Sequence, residues 1–333
     1  MTRCFFAITT NLGWRIIGDR LADALAAGPP AGHAFRAFTL PPALAQITWS
    51  ARYSPSERVA LPLLDPHLAF RLASRAVRRA AVGYDAVVAA TSPLAAAFVD
   101  AGARAPVFQI VDGTRALFRD AFAIDNISDA AIAHERRHFH RVHHTFALST
   151  WARDGVVHGY GVDPARVSVI PPLAPRAVTP APPRGPRPPG QRLQVAFIGG
   201  DFHRKGGDRL IAWQRAGLHA LVDLHVVTDP RFRDDSVPAT RWYGALDNAR
   251  ILAELLPAVD VLAHPTRRDC SAIVVAEAAL AGVPSVTTRV GGIPDLVEPG
   301  VTGELVDADD DAGFVAALTA LARAPARARA QGE

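Results

Sequence analysis

With 333 residues, 49% of them hydrophobic and 20% charged, the chain has ample material for a buried core. It exceeds the size at which a single core keeps growing, so two domains are expected. The net charge of +4 is unevenly spread: up to Pro175 there are 18 Arg and no Lys against 13 acids, and from Arg176 onward 17 Arg and one Lys against 19 acids. No dense basic run accompanies the excess, which argues against a nucleic-acid partner. The basic first half suits an anionic acceptor or a peripheral contact with anionic lipid head groups, or else is a solvated arginine-rich surface. Two cysteines, Cys4 and Cys270, provide no disulfide framework, and no apolar stretch approaches the ~18 residues of a membrane span. The expected location is therefore cytoplasmic, with peripheral association at the inner membrane surface left open.

Cys4 to Thr10 reads as a compact apolar strand, and Ile16 to Ala27 as a helix that stops at Gly28-Pro29-Pro30. The loop between them lies at the carboxyl end of a strand, the usual ligand edge of an open α/β sheet. Gly13 and Arg15 are therefore candidates for acceptor contact, with a plain turn as the alternative. Phe38 to Leu64, interrupted by prolines, predicts irregular structure that could form an acceptor-side lid. Leu68 to Ala81 predicts a helix, Tyr84 to Ala90 a strand, and Pro106 to Val111 a further strand ending at Asp112-Gly113-Thr114. This alternation predicts a parallel sheet. Asp112 is either a residue facing a reaction centre or an ordinary turn former, and Thr91-Ser92 is a weaker candidate of the same kind.

His134-Glu135-Arg136-Arg137-His138 matches the His-Glu-x-x-His zinc motif. Its two arginines would put cations beside a dication, and His140, Arg141, His143 and His144 continue a polar run, so a solvated helix without metal is expected. Thr145 to Ala152 predicts a strand, a cap and a helix start. The proline-rich stretch from Pro171 to Gly190 predicts a linker, giving an N-terminal domain over 1–172, a linker over 173–191 and a C-terminal domain over 192–333.

The second domain opens with a strand over Leu193 to Ile198, then Gly199-Gly200-Asp201-Phe202-His203-Arg204-Lys205-Gly206-Gly207 and a helix from Asp208. A glycine-rich strand-to-helix turn lets backbone N–H groups approach phosphate, and Arg204 and Lys205 supply charge. Lys205 is the only lysine in a chain that otherwise uses arginine throughout. Leu224 to Val227 predicts a strand, Tyr243 to Asn248 a loop, and Ala249 to Leu256 a helix. Asp269 to Pro284 predicts an apolar helix covered on both faces, with Ser271 as N-cap, Gly282 as a left-handed C′ residue and Pro284 as a stop. Side chains on a helix lean toward its N-terminus, so Asp269 and Glu277 share one small volume with the free N–H groups of the first turn. Buried Glu277 needs donors or a ligand. The alternative is internal pairing, of Glu277 with a nearby Arg and of Asp269 with Arg267 or Arg268. Asp307-Ala308-Asp309 predicts helix-start charge rather than a metal site.

Asp269-x7-Glu277, followed by Ala278 to Val286 and by Gly291-Gly292-Ile293-Pro294-Asp295, resembles the donor-site segment of retaining glycosyltransferases of family 4, whose usual pattern is Glu-x7-Glu. The Gly199–Gly207 loop is similar to that family's Gly-Arg-x4-Lys-Gly turn, with Gly200 at the Arg position and Arg204 beside Lys205. Further matches run from about Glu135 to Val306; Thr145 to Ala152, Tyr160 to Pro164 and Val167 to Pro172 resemble the end of the family's first domain.

The resemblance implies an α/β architecture of GT-B type: two Rossmann-like domains with parallel sheets facing across a cleft, the donor held by the second and the acceptor by the first. It implies transfer of a sugar from a nucleotide-diphosphate sugar to a hydroxyl of a glycan, lipid-linked or small-molecule acceptor, with retention and without metal or cofactor. Lys205 and Arg204 would stabilise the leaving diphosphate beside Gly199 and Gly200. Glu277 would bind ribose hydroxyls, and Gly244 and Leu246 would flank the base. Asp269, Cys270 and the N–H groups of Ser271, Ala272 and Ile273 would orient the donor sugar, with Asp112 at the reaction centre. Both carboxylates then face water in the empty cleft. The Asp269 and Gly200 departures, and an end soon after an Ala/Arg-rich helix, support the alternative of a nucleotide-sugar-binding protein that has lost turnover. A zinc metallopeptidase is the distant alternative.

Overall fold

The computed structural model describes residues 1–9, 14–39, 75, 77–125, 127–171 and 190–333. Gly13, residues 40–64 of the expected irregular stretch, 68–74 of the expected helix and nearly all of the expected linker lie outside the described residues, as does the side chain of Arg15, while Phe38 and Thr39 end a strand rather than begin an irregular stretch. The chain divides into two compact units, Met1–Arg176 and Ala177–Glu333.

The first unit is built on six parallel strands in the order β2-β1-β3-β4-β5-β6. They are β1 (Thr2–Ile8), β2 (His33–Thr39), β3 (Ala86–Ala90), β4 (Val107–Val111), β5 (His144–Ala147) and β6 (Val167–Val169). Strands covered on both faces by helices read as continuous apolar runs, which is why β1, β3 and β4 stand out in the sequence. The edge strand β2 is mostly exposed or half-buried and mixes Phe with Arg and His, so it carries no such signal. Phe5, Val87, Ala89 and Val107 pack with Leu94, Ala95 and Phe98 of the helix Ser92–Val99, and Val111, Ala147 and Val167 with Ile132, Phe139 and Val156. Three helix starts are capped by side chains: Thr114 accepts from the Leu117 N–H, Ser128 from Ala131 and Ser149 from Ala152.

The second unit carries β7 (Leu193–Ile198), β8 (Val222–Val227), β9 (Thr240–Gly244), β10 (Val261–His264), β11 (Ser285–Thr288) and β12 (Gly303–Val306), all parallel, in the order β12-β11-β10-β7-β8-β9. Alternate residues serve opposite faces. Val195, Phe197 and Ala263 meet Leu210, Phe314 and Leu318, while Ala196 and Leu262 meet Ile251, Val275 and Ala278. Each fully buried Val, Leu, Ile or Phe among them contributes about 1.5–3 kcal/mol. The first strands of the two halves, β7 and β10, are neighbours. The chain winds outward from them in both directions, so their carboxyl ends form the topological switch point, the usual ligand crevice of such a sheet. The expected Tyr243–Asn248 loop begins as β9, and the expected helix Ala249–Leu256 is a short α-turn, Asn248–Arg250, that widens into a π-turn over Ile251–Leu255. Among the described residues no helix is long and apolar enough to cross a membrane.

Candidate functional site

Two loops meet at the switch point of the second unit. The loop after β7 carries Lys205 and the loop after β10 carries Asp269; the Lys205 ammonium is bonded to Asp269 Oδ2. The same oxygen lies 3.0 Å from Nε2 of His264, the last residue of β10. Burial alone would push the Asp269 carboxyl up, but Lys205 and the His264 N–H outweigh it and hold Asp269 well below the usual carboxylate range. His264 is fully buried, which lowers its pKa and keeps the ring neutral, with Nε2 as the donor and Nδ1 without a hydrogen-bond partner.

The two loops are laced by backbone groups. The Arg267 N–H donates to the Arg204 carbonyl at 2.9 Å, and Thr266 Oγ1 lies 3.2 Å from Arg204 O and 3.1 Å from Arg268 O. Arg204 itself is held by Asp201 at 2.8 Å and by the Arg268 carbonyl at 2.7 Å. Two glycines permit the close approach. Gly206, with φ +80, and Gly291, with φ +53, are left-handed, and a Cβ on them would overlap the carbonyl oxygens of Pro265 and Asp269 respectively. Gly199 is buried against the Lys205 side chain, whereas Gly200 is exposed with open space around it.

The apolar helix spans Ile273–Leu280, so the expected N-cap at Ser271 is corrected: Ala272 caps it without a side-chain bond. Its outer face is also open, because Ala279 and Leu280 are exposed. Gly282 is left-handed as expected, with φ +68. Glu277 is 2% exposed and Asp269 8%, so neither carboxylate faces open water in the empty chain. Glu277 Oε1 accepts from Asn248 Nδ2 at 2.9 Å, which ties it to the loop carrying Gly244 and Leu246. Arg267, an expected partner of Asp269, pairs instead with Asp208 at 2.8 Å. Ser271 and Ala272 are buried, Cys270 and Ile273 half-buried. His264, Asn248 and Gly291 are members of this cluster that sequence spacing did not single out.

In the first unit the switch point lies between β1 and β3. Thr91 closes β3 with φ +150, backbone that a β-branched residue rarely adopts, and half-buried Asp112 follows β4. Both loops are anchored by Glu135. Its buried carboxylate accepts from Ser92 Oγ at 2.7 Å, the Arg115 N–H at 2.6 Å and the Tyr160 hydroxyl at 2.5 Å, with the Arg115 guanidinium 3.8 Å away. Burial and Glu135 hold the Tyr160 phenol protonated, well above its ordinary range.

The expected solvated helix around Glu135 is corrected accordingly: in Asp129–Phe139, Ile132, Glu135, His138 and Phe139 are buried. His134 bonds Asp100 at 3.0 Å near the surface, while both His138 ring nitrogens are buried without a hydrogen bond among the described residues. Among the described residues no group of three His, Cys, Asp or Glu could hold a metal ion.

Desolvation, with His134 and Arg115 adding to it, lowers the His138 pKa from 6.5 to about 3. A folded pKa below the unfolded one means the unfolded chain takes the proton first, so stability is present above about pH 6.5 and lost toward pH 3, up to about 1.4 kcal/mol per pH unit. Thermal melts stepped from about pH 7 to pH 4 should fall more steeply for the wild type than for His138→Phe; parallel curves would contradict this account. Asp269, lowered in the folded chain, contributes stability that is present above the ordinary Asp value of about 4 and is lost as pH falls below it, equally in both proteins.

Residues 193–324 match the family described as glycosyl transferases group 1. The chain is 31% identical over 194 residues to D-inositol 3-phosphate glycosyltransferase of Actinosynnema mirum, covering 50% of this chain and 46% of that protein. It is 30% identical over 128 residues to GDP-mannose-dependent alpha-mannosyltransferase of Corynebacterium glutamicum, covering 37% of this chain and 30% of that one. The matched stretches thus span less than half the length of these curated relatives. Among solved structures, sucrose-phosphate synthase from Thermosynechococcus elongatus aligns with TM-score 0.74 at 17% identity, covering 100% of this chain and 92% of that one. Anabaena HepE in complex with UDP-glucose aligns with TM-score 0.66 at 16% identity, covering 100% and 93%. The fold is GT-B.

Proposed function

We propose that the chain is a glycosyltransferase that moves a sugar from a nucleotide-diphosphate sugar to an acceptor hydroxyl, with retention at the anomeric carbon and without a metal ion. The observation that carries this is the meeting of Lys205 and Asp269 at the β7/β10 switch point, inside the segment matched by glycosyl transferases group 1. Retention rests on the likeness of Asp269-x7-Glu277 to the family 4 donor segment.

In this mechanism the donor diphosphate enters beside the loop after β7. Lys205, whose side chain is only 16% exposed, meets it in a poorly solvated setting, where a charge acts strongly on the developing charge of a leaving group. Asp269 uses Oδ2 for Lys205 and His264, so Oδ1 is the oxygen offered to a sugar hydroxyl. Arg204, fixed by Asp201 and Arg268, adds charge at the edge of the diphosphate. Glu277 receives ribose hydroxyls beside the loop of Gly244 and Leu246, and Asp112 in the first unit serves the acceptor side. The acceptor is a glycan, a lipid-linked or a small-molecule alcohol, and the basic first unit is the part that would approach an anionic membrane surface.

The test is a panel of nucleotide sugars, beginning with UDP-glucose and GDP-mannose, with binding and slow donor hydrolysis both recorded. The absence of both binding and hydrolysis across the panel would overturn the proposal, and binding without hydrolysis or transfer would convert it to a binding protein. Glu277→Gln should keep the fold, because a glutamine oxygen still accepts from Asn248, yet weaken donor binding about tenfold or more through a lost acceptor. Titration of both proteins with the best donor checks this, and equal affinities would remove Glu277 from the site.

A further inference from the structure

A second cationic site lies on the opposite edge of the first sheet. The segments leading into β4, β5 and β6, which begin at Val107, His144 and Val167, line an open cleft of about 700 Å³. Arg104, Arg141, His143, His144 and Arg166 contribute to its wall, and among the described residues no Asp or Glu does.

The five groups are held differently. Arg141 is partly neutralised by Asp100 at 3.3 Å. Arg166 donates from Nε, Nη1 and Nη2 to the carbonyls of His140, Val142 and His143, so it is fixed with most of its N–H groups used, and it meets no acid among the described residues that would neutralise its charge. Arg104 is exposed and likewise meets no acid there. The nearby Asp163 carboxylate is turned onto the Ala165 N–H at 2.9 Å. Burial, then His143 and Arg166, push the His144 pKa down, as expected where positive charge lacks a counterion.

The exposed Arg104 fork matches the paired oxygens of phosphate, and the charges of Arg166 and Arg141 beside it suit a dianion better than a single carboxylate. We infer that this cleft binds a phosphate group, carried by a soluble phosphorylated small molecule or by the head group of an anionic phospholipid. The cleft is at the amino ends of the strands, whereas Thr91 and Asp112 lie at their carboxyl ends, so occupancy leaves the acceptor edge free. The inference stands independently of the proposed transfer reaction.

The full chain is titrated with inorganic phosphate, alongside Arg104→Glu, the double variant Arg104→Glu/His143→Glu, and Lys205→Ala. Arg104 and His143 are exposed, so ligand-free melts of the first two should match the wild type. Saturable binding should weaken about tenfold in Arg104→Glu, the loss of one charge-assisted hydrogen bond, and disappear in the double variant, while Lys205→Ala, titrated below its own melting transition, keeps the Arg104-dependent binding. Binding that survives the double variant and vanishes in Lys205→Ala would assign the phosphate to the second unit and overturn the inference. Phosphatidylcholine vesicles with and without phosphatidic acid separate the two sources. Cosedimentation that needs phosphatidic acid and is lost in Arg104→Glu identifies the head group, whereas phosphate binding without cosedimentation identifies a soluble ligand. Absence of both phosphate binding and phosphatidic-acid-dependent cosedimentation would also overturn it.

Discussion

Lys205→Ala should lower turnover by roughly 10² to 10³, the usual consequence of deleting one preorganised group that meets charge in the transition state. The same change should also cost stability, because it strands the buried Asp269 carboxylate that Lys205 neutralises; breaking such a pair from one side costs about 3–5 kcal/mol. A loss of activity alone would therefore be ambiguous. The double variant Lys205→Ala/Asp269→Asn resolves it, since it removes both charges and leaves His264 a neutral oxygen to meet. Its melting temperature should recover most of the loss, while its turnover stays at or below the level of Lys205→Ala, because the amide turned to His264 puts an NH2 where Asp269 offered an oxygen to the sugar. Recovery of both would reduce Lys205 to a structural partner of Asp269. Lys205→Arg should keep stability better than Ala but not restore full turnover, because a planar fork does not reproduce the compact ammonium that meets Asp269 from a stem packed on Gly199.

Much of this architecture was legible because parallel strands buried on both faces leave unbroken apolar runs, as in β1, β4 and β7, and because glycines and prolines punctuate them. The edge strand β2 was not, since half-exposed residues need no apolar pattern. Lys205 stood out by composition and Asp269 with Glu277 by spacing. Their partners did not: His264 ends an apolar strand and looks like any core histidine until β10 and its following loop turn its Nε2 toward Asp269. Spacing also placed the start of the Ile273–Leu280 helix too early, because Ser271 is a good cap by type while the chain caps there on Ala272, with no side-chain bond to signal it. Glu135 illustrates the reverse case. A zinc motif was visible, but its glutamate is a buried anchor for the loops after β3 and β4, and only tertiary contacts distinguish the two uses.

Among the glycines, sequence alone cannot rank Gly291 above Gly300, yet the structure separates them sharply. Both are left-handed, with φ +53 and +80, so alanine pays a similar backbone cost of about 1–2 kcal/mol at each. At Gly300 nothing lies within 4 Å of a new Cβ. At Gly291 the new Cβ would overlap the Asp269 carbonyl, and the Gly292 N–H, bonded to Cys270 O at 3.0 Å, keeps the loop from simply swinging away. Overpacking of that kind adds about 1–3 kcal/mol. Gly291→Ala should therefore melt several degrees below Gly300→Ala, at about 2–4 °C per kcal/mol for a unit of this size. It should also bind nucleotide sugar at least about tenfold more weakly, because the clash moves the backbone that presents Asp269. Gly300→Ala should bind like the wild type. Equal melting temperatures and equal donor affinities for the two variants would show that the Gly291 loop does not hold the Asp269 loop in place.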